Sequence, residues 1–153
     1  MNVIRTATRD NAPLIYAIHK ASLTILCTTH YSPDILQRWF ATKTVEGYYP
    51  ALDRGEMFMC ECRDAIAGFG HAVPGEIEGI FVHPDFAGQG VGASLLDYAV
   101  ARARLGHSGP IKVVATLNAQ SFYEKHGFSP VKQYSISRAD FDFPVVEMSG
   151  TFL

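Results

Sequence analysis

Between Glu76 and Leu96 the chain reads EIEGIFVHPDFAGQGVGASLL, and within it Gly88, Gly90 and Gly92 recur at every second position. The apolar run of residues 77–82 before them reads as a β-strand, which His83-Pro84-Asp85 stops because proline cannot continue a ladder. After them Val91, Leu95, Ala99 and Ala103, with Leu96 and Val100 beside them, mark one face of a helix. Glycines at such a junction lie among unpaired backbone N–H groups at the positive end of a helix dipole. They also lack the Cβ atoms that would hold a ligand away. The chemistry predicted is binding of a phosphate or pyrophosphate.

Three patterns compete for these glycines. A Walker-type loop needs Lys after its last glycine, and none follows Gly92. Gly88-x-Gly90-x-x-Ala93 has the form of a dinucleotide fingerprint, but residues 83–87 make the loop too long for a turn that should follow its strand directly. The next strand, residues 111–115, also ends on no acidic residue for a ribose. Glycines that only shape a tight loop are the plain structural alternative.

The elements that must position this turn follow from period and punctuation. Residues 3–6 read as a strand. Leu14, Ile15, Ile18 and Ala21 fall at helical spacing behind Pro13, and Ser32-Pro33-Asp34 opens a second helix through Ile35, Leu36, Trp39 and Phe40. Met57–Cys62 and residues 66–73 form a hairpin across Arg63-Asp64-Ala65, and Pro74-Gly75 turns the chain into the central strand. The β-branched run of residues 111–115 reads as a strand buried on both faces. Asn118 caps a short helix, residues 119–126, that Gly127 ends, and residues 131–136 and 145–148 close the sheet. The sum is one α+β domain over residues 1–153, a mixed, largely antiparallel sheet with helices on both faces. The polar and aromatic loop Cys27-Thr28-Thr29-His30-Tyr31 either closes over a ligand or caps packing.

With 13 Lys+Arg against 15 Asp+Glu, the net charge of −2 offers no global attraction to nucleic acid or to an anionic membrane. The start of the chain has no leader pattern and no apolar run nears the ~18 residues of a membrane span, so the expectation is a soluble, cytoplasmic protein. Cys27, Cys60 and Cys62 are odd in number and read as reduced thiols. Cys60-x-Cys62 lacks a second ligand pair, so no metal site is expected.

The stretch Val82-His83-Pro84-Asp85-Phe86-Ala87-Gly88-Gln89-Gly90-Val91-Gly92-Ala93 resembles the acetyl-CoA-binding motif of the GCN5-related N-acetyltransferases. The stretch Asn118-Ala119-Gln120-Ser121-Phe122-Tyr123-Glu124-Lys125-His126-Gly127-Phe128 resembles that family's second motif. The family's order of elements matches the one above over nearly the whole chain. The resemblance implies acetyl-CoA as cosubstrate, its pantetheine arm on the strand backbone at Phe81 and Val82, and its pyrophosphate on Gly88, Gln89, Gly90, Val91, Gly92 and Ala93. Asn118 becomes a polar contact to the arm. Ala87 departs from the pattern, because relatives usually carry Arg or Gln there, and this implies weaker cofactor binding.

The implied reaction moves an acetyl group to a primary amine of a small molecule or protein. It needs a neutral amine, and an alkylamine of pKa ~10.4 is only about one part in 2,500 neutral at pH 7, a cost of about 4.6 kcal/mol. A base is therefore useful. Glu76 and Glu78 alternate on one face of the central strand, each aligns with a base of some relatives, and Glu78 is favoured. Tyr123 occupies the family's general-acid position, and a phenol of pKa ~10 can protonate a thiolate of pKa ~8.5 in contact with it at a mismatch of roughly 2 kcal/mol. Its alternative is a core aromatic, since Phe122 is adjacent and only one of the two can face the core fully. The acceptor pocket is expected between the Cys27–Tyr31 loop, the Trp39 helix and the C-terminal strands. Dimerisation through the closing strands is common in the family. From a different class comes the alternative of a non-catalytic CoA-binding regulatory module.

Overall fold

Met57, Phe58, Met59 and Cys60 are consecutive, apolar and buried, which a strand permits only when both of its faces are covered. The computed structural model, which describes residues 2–152, shows how. Seven strands, β1 (Asn2–Thr6), β2 (Met57–Cys62), β3 (Ala65–Val73), β4 (Glu76–Val82), β5 (Ile111–Thr116), β6 (Phe128–Ser137) and β7 (Asp142–Gly150), form one sheet in the order β1-β2-β3-β4-β5-β7-β6. Only the β4–β5 pair is parallel. Helices α1 (Ala12–Ala21), α2 (Pro33–Phe40) and α3 (Tyr49–Asp53) cover one face, and α4 (Val91–Arg104) and α5 (Gln120–Lys125) the other. Met57 and Met59 pack in a cluster with Ile15 and Ile18 of α1, while Phe58 and Cys60 pack in one with Leu95 and Ala99 of α4. The α+β architecture with helices on both faces is the one the sequence predicts.

Local chemistry explains most boundaries. The Ser32 side chain accepts a hydrogen bond from the Ile35 N–H, and Pro33 takes the first helical position of α2. Two features lie outside the sequence reading. α1 runs on into a π-helical turn, Ser22–Leu26, and the five-residue α3 follows a 3-10 turn at Glu46–Tyr48. The loop after the π turn is a packing element. Tyr31 stacks on Phe143 at 4.5 Å, donates its hydroxyl hydrogen to the Pro144 carbonyl and accepts from the Leu117 N–H at 2.9 Å. Tyr31 thereby ties this loop to β7 and to the end of β5.

Two irregularities of β4 shape everything that follows. In its ladder with β3, His71 pairs with Gly79 but Ala72 with Ile77, so Glu78 is an extra residue, a β-bulge. In its ladder with β5, pairing ends at Ile77↔Val113, although β4 continues to Val82 and β5 to Thr116. The two strands diverge, and the sheet opens in its middle.

Candidate active site

The glycine turn stands at the open end of that gap. Gly88 and Gly90 adopt left-handed φ of +76° and +81°, and Gly90 caps α4 with no side-chain bond. A Cβ at either would meet no protein atom within 4 Å, so the strain falls on φ alone and the space beside the turn is open. The first N–H groups of α4, at Val91, Gly92 and Ala93, have no partner within the helix, which favours an anion there. Val91 is buried, so only its backbone is available. Gln89 is likewise committed. Its amide oxygen accepts from Arg63 of the β2–β3 turn, and its nitrogen donates to the Asp85 carbonyl at 3.1 Å. Arg63 lies 5.6 Å over the Phe86 ring, and so places a cation beside the loop in which Ala87 supplies no side-chain contact.

A groove of about 360 Å³ runs from Gly88, Gly90, Gly92 and Ala93 along Ile80, Phe81 and Val82 to Thr116, Asn118 and Phe122. Its walls include the unpaired edges of β4 and β5, whose backbone groups have no ladder partner beyond Ile77 and Val113. The cap assigned to Asn118 needs correction. α5 begins at Gln120 with Ala119 at its N-cap, because a 3-10 turn, Leu117–Ala119, intervenes, and no side chain caps the helix. Asn118 Oδ1 is instead buried and without a hydrogen-bond partner, a state that costs about 1–3 kcal/mol until a donor arrives. An extended arm carrying amide N–H groups would supply that donor, and a pyrophosphate would meet the α4 N-terminus. The residues present therefore fit a CoA-type ligand. Cys27, also on this wall, is held in its thiol form, pushed up to about 11 by burial against hydrogen bonds from Thr116 and Asn118. Sequence reasoning gave Cys27 no part in this wall, and its only signal was position in the polar loop.

A second cavity, about 340 Å³, lies on the other side of Phe81 and Thr116, which line both. It is bounded by His19 of α1, Trp39 of α2, Lys43, Tyr48, Glu78 and Phe143 among others. The bulge explains the presence of Glu78, since the extra residue leaves Glu78 and its neighbour Gly79 both on this cavity. The expected pocket is thus corrected in one respect. The Trp39 helix and β7 line it, but the Cys27–Tyr31 loop does not, because Tyr31 is spent on packing and Cys27 faces the groove. Glu76 lines neither cavity. Burial, then Glu78, pushes its carboxyl above the ordinary value. His71 lies at the cavity with its Nε2 2.9 Å from Glu56.

Of the two adjacent aromatics on α5, Phe122 faces the groove and Tyr123 faces the core. Tyr123 is 3% exposed, sits edge-on to Phe122 at 5.3 Å and to Phe128 at 5.6 Å, and lines neither cavity. Burial raises its phenol above the ordinary value, and its hydroxyl has no hydrogen-bond partner among the described residues. Among the described residues no group of three or more His, Cys, Asp or Glu could hold a metal ion, the three cysteines are free and buried, and no helix is long and apolar enough to cross a membrane.

Residues 53–130, just over half of the chain, match the family model described as an acetyltransferase (GNAT) domain. The chain is 25% identical over 120 residues to the uncharacterized N-acetyltransferase YafP of Escherichia coli K12, covering 78% of this chain and 76% of that one. Among solved structures, its fold is similar to that of a GCN5-related N-acetyltransferase from Rhodopseudomonas palustris, with a TM-score of 0.91, 23% identity and coverage of 99% and 96% of the two chains. It is also similar to the PaiA N-acetyltransferase of Thermoplasma acidophilum, solved in complex with coenzyme A, with a TM-score of 0.74, 16% identity and 99% of each chain covered.

Proposed function

This chain belongs to the GNAT family of N-acetyltransferases, and from that premise we propose that it moves an acetyl group from acetyl-CoA to a primary amine of a small molecule or protein. The observation that carries this reading is the meeting of the two cavities at Phe81 and Thr116, where β4 and β5 part. A thioester arm in the groove and an amine in the second cavity would approach one another there, which supplies the orientation that acyl transfer needs.

Each residue then has a definite task. Gly88, Gly90 and the α4 N–H groups of Val91, Gly92 and Ala93 hold the pyrophosphate, with Gln89 bracing the loop through Arg63 and Asp85. The free backbone edge at Phe81 and Val82 pairs with the arm, and Asn118 Oδ1 accepts one of its N–H groups. Glu78 takes the proton of the incoming ammonium, directly or through a water, and leaves the amine neutral for attack on the thioester carbonyl. The C–N bond forms, the C–S bond breaks, and the departing thiolate takes a proton from Tyr123, which stands edge-on behind the groove-lining Phe122. The new amide nitrogen gives up its second proton through solvent, from which the Tyr123 phenolate is reprotonated.

Asn118→Ala removes the orphaned acceptor, so the ligand-free chain should melt at the same temperature or higher while acetyl-CoA binds roughly 10-fold more weakly by calorimetry. Equal affinity in the two proteins would take Asn118 off the arm. Glu78→Gln should lower kcat/KM at least ~10-fold at pH 7 and progressively less toward pH ~10, where the amine is neutral without help. A loss that stays constant across that range would make Glu78 a binding group. The reading itself is tested by following thiol release together with the mass of the acetylated amine across a panel of primary amines. Thiol release matched by product supports it, and no product from any amine argues for a CoA-binding module without catalysis.

A further inference from the structure

The second cavity carries more information about its ligand than an amine requires. Trp39, the chain's only tryptophan, lines it and stacks on Phe143 at 4.3 Å with an interplanar angle of 11°. Two cations lie against that same indole. Lys43 Nζ is 4.7 Å from the ring centroid, and the Arg138 guanidinium carbon is 5.0 Å from it. Neither forms an ion pair with a carboxylate among the described residues. The acids of that region are engaged elsewhere, since Asp34 and Asp140 both bind Arg38. Arg138 bonds only the Ser137 carbonyl through its side chain.

Two like charges beside one ring repel each other, and Lys43 is also half-buried on the cavity wall. Burial, and then Arg138, push its ammonium below the ordinary value. A half-buried cation with a cationic neighbour and no anion is a site short of negative charge. Cation–π contact with Trp39 offsets only part of this, roughly 0.5–2 kcal/mol. The other charged group on the cavity lining that belongs to the proposed chemistry is Glu78, of opposite sign. The cavity is therefore polarised, with an aromatic body of Trp39, Phe81 and Phe143 between.

We propose that the acceptor is an amine that also carries a carboxylate, bound with its carboxylate against Lys43 and Arg138, its amine toward Glu78 and its apolar body against the aromatic walls. The position of the amine rests on the acyl-transfer reading above, whereas the anion site stands on Lys43, Arg138 and Trp39 alone. Lys43 and Arg138 thus select the substrate, and Glu78 activates it.

The test uses pairs of amines that differ only in the acid, 4-(aminomethyl)benzoate against benzylamine and phenylalanine against phenethylamine, which place the two charges at different separations. Binding is read first, without acetyl-CoA, from the emission of the single tryptophan, and turnover is read separately from thiol release. In at least one pair the acid-bearing member should bind at least ~10-fold more tightly. Lys43→Gln and Arg138→Gln should each reduce that preference, and Lys43→Arg should restore it, which also separates loss of charge from loss of fold. Equal binding within both pairs, or a preference indifferent to Lys43→Gln and Arg138→Gln, would overturn the anion site. Tight, Lys43-dependent binding of the acids with no thiol released would keep the anion site and overturn acyl transfer. Thiol release equal within both pairs would do the reverse.

Discussion

Tyr123→Phe is expected to lower kcat about 100-fold, equivalent to roughly 2.7 kcal/mol of transition-state stabilisation, while leaving thermal stability unchanged. The two halves of this expectation come from the same facts. The hydroxyl has no partner among the described residues, so its removal takes no hydrogen bond from the folded chain, and the ring keeps its contacts with Phe122 and Phe128. Burial holds the phenol above its ordinary value, so it remains a proton donor through the whole range in which the assay is run. Steady-state kinetics at saturating acetyl-CoA, beside a melting curve, check both. A kcat within threefold of the unaltered chain would return Tyr123 to the role of a core aromatic, with the thiolate protonated from solvent. A melting temperature lower by several degrees would mean that the hydroxyl serves the fold.

The second large effect concerns acid stability. His19 packs against Phe40, Phe69 and Phe81, with its Nδ1 2.7 Å from the Tyr48 hydroxyl, and burial, then Lys43, lowers its pKa to about 3. The folded chain therefore keeps His19 neutral at a pH where the unfolded chain, with an ordinary value near ~6.5, binds a proton. The stabilisation is fully present above pH ~6.5 and is lost as the pH falls toward 3, at roughly 1.4 kcal/mol per pH unit. Over the interval from pH 7.5 to 4.5 the share of His19 comes to about 2.7 kcal/mol. Denaturant unfolding of the unaltered chain and of His19→Gln at those two pH values isolates it, since the carboxylates common to both proteins cancel in the difference. Parallel pH dependences in the two proteins would show that His19 titrates normally. The residue also lines the cavity assigned to the acceptor, so acid conditions are expected to loosen the amine site before the sheet.

The helical and strand framework was legible because it rests on strong, local signals. Met57–Cys60 is apolar throughout because two layers of helix cover it, Ser32-Pro33 supplies both a cap and a preset first turn, and Gly88 and Gly90 mark a turn whose left-handed backbone glycine tolerates best. What the sequence concealed are features one residue wide. The bulge at Glu78 shifts the β4 ladder by a single position and so brings Glu78 and Gly79 to the same cavity, yet nothing in EIEG distinguishes it from a regular strand. The 3-10 turn at Leu117–Ala119 moves the start of α5 by one residue, and with it Asn118 passes from a helix cap to an unpaired acceptor on the groove. Which of Phe122 and Tyr123 faces the core was open for the same reason, because neighbours on a helix differ by about 100° and both are aromatic. The short α3 was missed because five residues present too little of a helical period. The anionic demand of Lys43 and Arg138 was beyond sequence reasoning, since 94 residues of chain lie between two cations that meet at Trp39.

Whether the gap between β4 and β5 takes acetyl-CoA is measured most directly by thermal unfolding of the chain with acetyl-CoA, with CoA, with NAD and without ligand. A ligand present at ~100 times its dissociation constant adds about 2.7 kcal/mol, which for a chain of this size raises the melting temperature by roughly 5–10 °C. Such a rise is expected with acetyl-CoA and with CoA but not with NAD. No rise with either CoA species at millimolar concentration, or an equal rise with NAD, would contradict acetyl-CoA binding in that gap.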